Sequence, residues 1–140
     1  MPEYPPDGPA DNSRSVVIPE LELGGPTPGA TTEWIDFTDP TIQWSSDRAT
    51  ECLVSVSAVK GGNPTSVKVE CEMSMDAAGD TGYLFREGRW VNLEYTADSN
   101  VEAVPVTFLP RRMRFKITTV GTSMIAWWTV NIRVDLVRPG

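Results

Sequence analysis

Residues 111–136, RRMRFKITTVGTSMIAWWTVNIRVDL, contain two runs of alternating apolar and polar side chains, separated by a glycine. A period of two is typical of β-strands that bury one face, and no stretch of the chain has a convincing helical period. The apolar positions of the two runs are Met113, Phe115, Ile117, Ala126, Trp128, Val130, Ile132, Val134 and Leu136. We expect two paired strands joined by a type II′ turn at Gly121 and Thr122, with Phe115 opposite Trp128. A turn at Val120 and Gly121 would shift that register and leave the buried faces the same.

The same alternation occurs in residues 51–59 and 66–73, on either side of Gly61 and Gly62. Because the primed turns of hairpins need positive φ, this Gly-Gly pair predicts another hairpin. Its register would place three pairs opposite one another on one face: Val56 with Val67, Val54 with Val69, and Cys52 with Cys71. Cysteines that face each other in this way lie within disulfide range. Since the chain opens without an export-signal pattern, we favour two free thiols.

Shorter apolar runs lie at residues 32–37, 41–44, 83–85, 89–95 and 101–109. Together with the longer runs they give eight or nine short strands, each with one face to bury. This pattern predicts an all-β fold, an antiparallel β-sandwich of the jelly-roll or immunoglobulin-like kind, which we assign to residues 32–140.

Residues 1–31 have a different composition and are expected to form an extended N-terminal arm. Seven of the twelve prolines lie there, and the apolar residues are few. Such a segment buries too little apolar surface to offset the entropy lost when it becomes ordered. We therefore expect the arm to become ordered on another subunit or a partner protein. The alternative is that it packs on its own domain.

Charge and composition exclude several classes of function. The net charge is −7, and the excess lies in residues 1–51, which hold ten acidic and two basic side chains. An acidic chain argues against nucleic acid as a partner, and no apolar run is long enough to cross a membrane. The sequence contains no histidine, the commonest general base and transition-metal ligand.

We therefore expect a protein that is not an enzyme, with no catalytic residues, no cofactor and no metal. Asp76 and Asp80 lie in a glycine-containing loop, but their spacing matches no calcium-binding pattern, and we interpret them as part of a solvated loop.

Three groups of residues are candidates for a protein interface. The apolar residues of the arm are the first. Arg112 and Arg114 on one strand face are the second, since they could receive acidic side chains such as Glu20 and Glu22; an ordinary solvated face is the alternative. Trp127 is the third, because alternation points it outward beside the inward Trp128. It could bind a partner, a sugar or the chain's own arm. The predicted interface set is Pro5, Pro6, Val16, Val17, Ile18, Leu21, Leu23, Arg112, Arg114 and Trp127.

The stretches 88–93 (GRWVNL) and 110–118 (PRRMRFKIT), followed by Gly121 and Thr122, resemble the C-terminal half of small β-sandwich accessory virion proteins of tailed bacteriophages. These are capsid decoration or cement proteins, and the resemblance covers roughly residues 83–137. It implies a non-enzymatic protein that binds between capsid subunits through its arm and its sandwich surface, on the capsid exterior after synthesis in the host cytoplasm. The implied partners are the major capsid protein or other virion subunits, and the implied state is a homo-oligomer, with a trimer favoured.

Two other binding roles and one enzymatic role stay open at this point. The sandwich could be a carbohydrate-binding module, given five tryptophans, or a tail or head–tail connector component. A small hydrolase using carboxylates is the remaining alternative.

Overall fold

The computed structural model describes residues 13–42, 49–75, 84–86, 91–99, 101–107 and 109–137. Pro5, Pro6, Asp76 and Asp80 therefore lie outside the described residues. Within those ranges the chain contains strands and turns and no helix. The strands are β1 (Ser13–Val17), β2 (Leu21–Leu23), β3 (Gly29–Thr31), β4 (Ile35–Asp36), β5 (Glu51–Gly61), β6 (Ser66–Ser74), β7 (Leu84–Arg86), β8 (Asn92–Tyr95), β9 (Glu102–Val106), β10 (Arg112–Val120) and β11 (Trp127–Val137).

These strands form two antiparallel sheets. In the front sheet β1 and β2 follow one another along the edge of β11, which is followed by β5 and β9. In the back sheet β3 and β4 lie along β10, which is followed by β6 and then by β7 and β8. The pairs β1–β2, β3–β4 and β7–β8 can each be counted as one interrupted strand. Every connection between consecutive strands then crosses from one sheet to the other, except the connection from β6 to β7, which stays in the back sheet. This is the connectivity of a jelly roll, so the predicted antiparallel β-sandwich is confirmed.

Neither predicted hairpin is present, because each would join strands that belong to different sheets. β5 lies in the front sheet and β6 in the back sheet, and β11 and β10 are divided in the same way. Phe115 lies opposite Cys71, and Trp128 lies opposite Lys60. Gly62 and Gly121 do have positive φ, at 72° and 73°, but they turn the chain from one sheet to the other. Alternation identifies the face of a strand that is buried and does not identify its neighbour.

The core fills the space between the two sheets, with the side chains that alternation pointed inward. Val54, Val56, Val67, Phe115 and Trp128 are all fully buried. The two cysteines are buried free thiols, one in each sheet, and so are not cross-strand partners. Burial, with smaller contributions from the charges of Glu51 and Asp135, raises the pKa of the Cys52 thiol to about 12.

Residues 13–31, which we predicted to be part of an extended arm ordered on another subunit, form strands of the sandwich itself, which was the alternative. β1 pairs with β11, and the Ile18 amide donates to the Ile132 carbonyl at 3.0 Å. After β2 the chain crosses to the back sheet, where β3 pairs with β10. Ile18 and Leu23 are buried in the core. The prediction counted side-chain burial alone, whereas backbone pairing with both sheets holds this segment in place. Residues 1–12 lie outside the description.

Candidate interaction surfaces

The basic strand face predicted as a docking site is already occupied by side chains of the same molecule. Arg114 Nε donates to Glu72 Oε1 at 2.9 Å, and Glu72 lies directly opposite Arg114 on β6. Arg112 donates to Ser74 Oγ at 3.4 Å and is only 5% exposed. Both guanidinium carbons stand over the Trp34 ring, at 4.6 Å for Arg112 and 4.4 Å for Arg114. An acidic neighbour and an aromatic ring of the same molecule therefore occupy Arg112 and Arg114, and a role for them in an interface stays a prediction.

The apolar interface candidates between residues 16 and 23 have mostly internal roles. Ile18 and Leu23 belong to the core, and Val16 and Leu21 pack against it. Val17 is 68% exposed and is the member of this group that is open to a partner.

Trp127 lies on the outer face of the front sheet, as alternation predicts, and its neighbour Trp128 is fully buried. Its cross-strand neighbour on β5 is Gly61, and Gly24 lies close on the β2 side. A Cβ at Gly24 would stand 2.7 Å from the Trp127 Cβ. Glycine on both sides gives the large indole room to lie against the sheet.

One end of the sandwich carries exposed apolar side chains on a tight turn. Met124 is 77% exposed and Ile125 is 80% exposed. Ser123 and Ala126 bracket them with two reciprocal backbone hydrogen bonds, of 2.7 and 3.2 Å. We call Met124, Ile125 and Trp127 the apolar tip. The sequence analysis did not identify Met124 and Ile125 as interface candidates, because it took residue 124 as the start of a strand. The feature that could have identified them is a pair of large apolar residues next to a predicted turn.

A cleft of about 320 Å³ lies beside the apolar tip. A second tight turn forms its other wall, held by hydrogen bonds of 2.8 and 2.9 Å between Gly24 and Thr27. The lining residues are Glu22, Gly24, Gly25, Pro26, Ser123, Met124 and Trp127. The cleft thus combines an indole and a thioether with one carboxylate.

Neither a metal-binding cluster nor a membrane-spanning helix occurs among the residues that the structure describes. They contain no group of three or more histidine, cysteine, aspartate or glutamate side chains placed to hold a metal ion. None of their elements is a helix of the length and hydropathy needed to cross a bilayer.

No protein-family model and no curated protein matches this chain. Among solved structures it is similar to that of infectious bursal disease virus, Gx strain, at 12% identity with a TM-score of 0.40, over 93% of this chain and 34% of that one. It is similar to the VP2 subviral particle of the same virus, at 10% identity and a TM-score of 0.39, over 91% and 34%. A third is the CBM22-1–GH10 part of Clostridium thermocellum xylanase 10B, complexed with xylohexaose, at 12% identity and a TM-score of 0.41, over 92% and 26%.

The chain spans about a third or less of each of these proteins. At such identities the likeness concerns the fold alone. The fold and the strand connectivity define the chain as a jelly-roll β-sandwich protein.

Proposed function

We propose that this chain is a non-enzymatic structural protein of a virion, which decorates or cements a phage capsid by binding between its subunits. The observation that carries the proposal is the apolar tip. Met124 and Ile125 are each more than three-quarters exposed and lie side by side next to Trp127, and apolar side chains clustered on a surface in this way are typical of interaction sites. Anchors of this kind typically fill a pocket at the centre of an interface.

The turn that carries the tip favours binding for a second reason. Its two backbone hydrogen bonds, between Ser123 and Ala126, order the backbone that carries Met124 and Ile125 before any partner arrives. A contact that is already ordered loses less conformational entropy on association. The tip is therefore suited to a repeated contact of modest area, as on a symmetric shell.

The proposed partners are the major capsid protein or other virion subunits, on the capsid exterior, after synthesis in the host cytoplasm. The proposal includes self-association, for which the sequence resemblance favours a trimer. It includes no cofactor, nucleic acid or membrane. The acidic, proline-rich residues 1–12 would add a second contact and so raise the effective concentration of the first.

The test replaces the tip and counts the protein on particles. Met124→Ser combined with Ile125→Ser should reduce the copies per purified particle at least tenfold, measured by quantitative mass spectrometry. Met75→Ser is the matched control, since Met75 is 50% exposed and follows β6 at the opposite end of the sandwich. If the double variant unfolds at the native temperature and is present in the same number of copies per particle as the native chain, the tip does not bind the capsid. The copy number also separates a shell protein, present in many copies, from a connector present in one ring.

A carbohydrate-binding role is the second candidate, and the cleft beside the tip favours it. An indole can stack on a sugar ring, and the Glu22 carboxylate can accept hydrogen bonds from hydroxyl groups. A glycan array would then show a ligand for the native chain that Trp127→Ala loses and Met75→Ser keeps. A native chain that binds no glycan would eliminate this role.

A further inference from the structure

One wall of the cleft beside the apolar tip is the carboxylate of Glu22, an exposed residue of β2. It forms no ion pair with any other residue that the structure describes. A second carboxylate, that of Glu20, accepts a hydrogen bond from Asn131 Nδ2 at 3.4 Å on the same outer face of the front sheet. Arg133, the cation on this face of β11, is already bound to Asp135 at 3.0 Å. The cleft thus carries negative charge that the described residues do not neutralise.

The indole of Trp127 lies next to this carboxylate. Glu22 pairs with Thr129, and Trp127 lies two residues before Thr129 on the same face, so Glu22 and Trp127 are diagonal neighbours. Diagonal neighbours in an antiparallel pair lie about 7–8 Å apart, within reach of long side chains. One face of the ring rests on Gly61, and the tryptophan is partly exposed. A group that stacks on the open face of the indole can therefore also reach the carboxylate.

The back sheet shows what an indole and a carboxylate bind together in this protein. The Arg114 guanidinium carbon stands 4.4 Å from the centre of the Trp34 ring, and Arg114 Nε donates to Glu72 at 2.9 Å. A guanidinium thus contacts an aromatic face and a carboxylate at once. The cleft supplies the same two partners, Trp127 and Glu22, and no residue within the described ranges takes the place of the guanidinium.

We propose that the cleft binds the side chain of an arginine presented by the partner. The guanidinium stacks on the Trp127 indole and donates hydrogen bonds to the Glu22 carboxylate. The Met124 thioether, which also lines the cleft, covers the aliphatic part of the arginine side chain. Arginine suits such a site better than lysine, because its planar and weakly hydrated guanidinium makes both contacts at once. At about 320 Å³ the cleft has room for one such side chain.

This inference rests on the proposed binding through the apolar tip and adds the chemistry of the partner. The tip supplies apolar contacts that many hydrophobic surfaces can accept. A charged site beside them sets the orientation and disfavours partners that have no cation at the matching position. We therefore expect the partner surface to present an arginine next to a hydrophobic pocket. A sugar in the same cleft, the second candidate function, would need no cation.

Titration with a small arginine compound tests the cleft without a partner protein. N-acetyl-arginine amide should shift the Trp127 indole resonance in proton–nitrogen NMR spectra, with a dissociation constant on the order of 10 mM. The Trp127→Phe spectrum assigns that resonance. N-acetyl-citrulline amide keeps the shape of the arginine side chain without its charge and should cause no saturable shift. Glu22→Gln should weaken arginine binding at least tenfold. Glu51→Gln, on the same outer face at the opposite end of the sandwich, is the matched control and should not change it.

Binding to purified particles then separates this inference from the proposed function. Glu22→Gln should raise the dissociation constant for particles at least tenfold, whereas Glu51→Gln should leave it unchanged. Native binding by Glu22→Gln overturns the inference, and the Met124→Ser, Ile125→Ser double variant in the same assay shows whether the tip fails with it. If the native chain does not bind particles, the proposed function fails and the titration alone decides about the cleft. A Trp127 resonance that N-acetyl-arginine amide does not shift, or that the citrulline compound shifts equally, overturns the inference.

Discussion

The indole of Trp127 lies directly over the backbone of Gly61, its cross-strand neighbour in the front sheet. A Cβ at residue 61 would stand 2.3 Å from the indole Cε2 and 2.7 Å from Nε1. No real Cβ atom comes this close, so the glycine is what allows the ring to lie flat. The ring in turn lines the cleft at the apolar tip, which couples a strand position to the proposed binding site.

Gly61→Ala should therefore lower the free energy of unfolding and expose the Trp127 ring. The added methyl group overpacks the contact, at a cost of about 1–3 kcal/mol. Urea unfolding measures the cost, and iodide quenching of tryptophan fluorescence measures the exposure. Ser57→Ala on the same strand is the control and should stay within about 0.5 kcal/mol of the native chain. An alanine variant with native stability and native quenching would show that the ring does not rest on Gly61.

The ion pair between Glu72 and Arg114 should contribute far more to the free energy of unfolding than the exposed pair between Lys68 and Glu70 on the same sheet. The Glu72 side chain is 4% exposed and the Arg114 side chain 17%, so Glu72→Gln removes a charge-assisted hydrogen bond that is largely shielded from water. We expect a loss of about 3 kcal/mol in the free energy of unfolding. Glu70→Gln removes the exposed contact of 3.9 Å with Lys68 and should cost less than about 0.5 kcal/mol. Equal costs for the two variants would contradict the burial that the structure gives to Glu72.

The Asp36 carboxylate should contribute to the free energy of unfolding at neutral pH and lose this contribution in acid. Burial alone would raise its pKa, but hydrogen bonds from the Thr38 hydroxyl at 2.6 Å and amide at 2.9 Å outweigh burial. With the nearby charges of Arg111 and Arg112, they lower the pKa of Asp36 below its usual 3.8. A lowered folded-state pKa means that the contribution is complete above the unfolded value and is lost as the pH falls through the folded one. The stability difference between the native chain and Asp36→Asn should be constant above about pH 5 and shrink below pH 4. A difference that does not change down to pH 2 would contradict this assignment.

Tyr95 should ionise only at unusually high pH, and its hydroxyl should stabilise the contact between the two sheets. It donates to Glu102 Oε1 at 2.8 Å, from β8 in the back sheet to β9 in the front sheet. Burial first, and then this hydrogen bond and the glutamate charge, raise the pKa of Tyr95 well above its usual 10. The contribution of the protonated Tyr95 to the free energy of unfolding is therefore complete below pH 10, the pKa of tyrosine in the unfolded chain. It is lost as the pH rises from there through the raised pKa of the folded state.

Tyrosinate absorbance checks this expectation. One of the three tyrosines should stay protonated where model tyrosine ionises, and Tyr95→Phe should remove that late component. The same variant should lose about 1 kcal/mol in the free energy of unfolding at neutral pH. Titration of all three tyrosines near pH 10 would refute the contact.

The buried faces of the strands could be predicted from the sequence, and their neighbours could not. Alternation correctly places Val54, Val67, Phe115 and Trp128 in the core. It wrongly joins β5 to β6, because the period of a strand is a local property, whereas its neighbour depends on packing between distant segments. Glycines with positive φ suit a hairpin and a crossing between sheets equally well.

The same limit explains what the sequence showed of the candidate site. Trp127 was predicted to point outward from its own strand's period, and it does. Arg114 was predicted to be open because the pairing of β10 with β6, which brings Glu72 opposite it, was not anticipated. Ile18 and Leu23 were assigned to an arm because the hydrogen bonds that hold their segment come from strands about a hundred residues away.

Methionine oxidation on and off the particle tests the central claim most directly. Met124 at the tip and Met75 at the opposite end are 77% and 50% exposed, while Met73 and Met113 are fully buried. If the tip anchors the protein on a capsid, Met124 should oxidise at least tenfold more slowly on purified particles than in the free protein, with Met75 as the internal reference. Equal oxidation rates of Met124 in the two states would contradict the account.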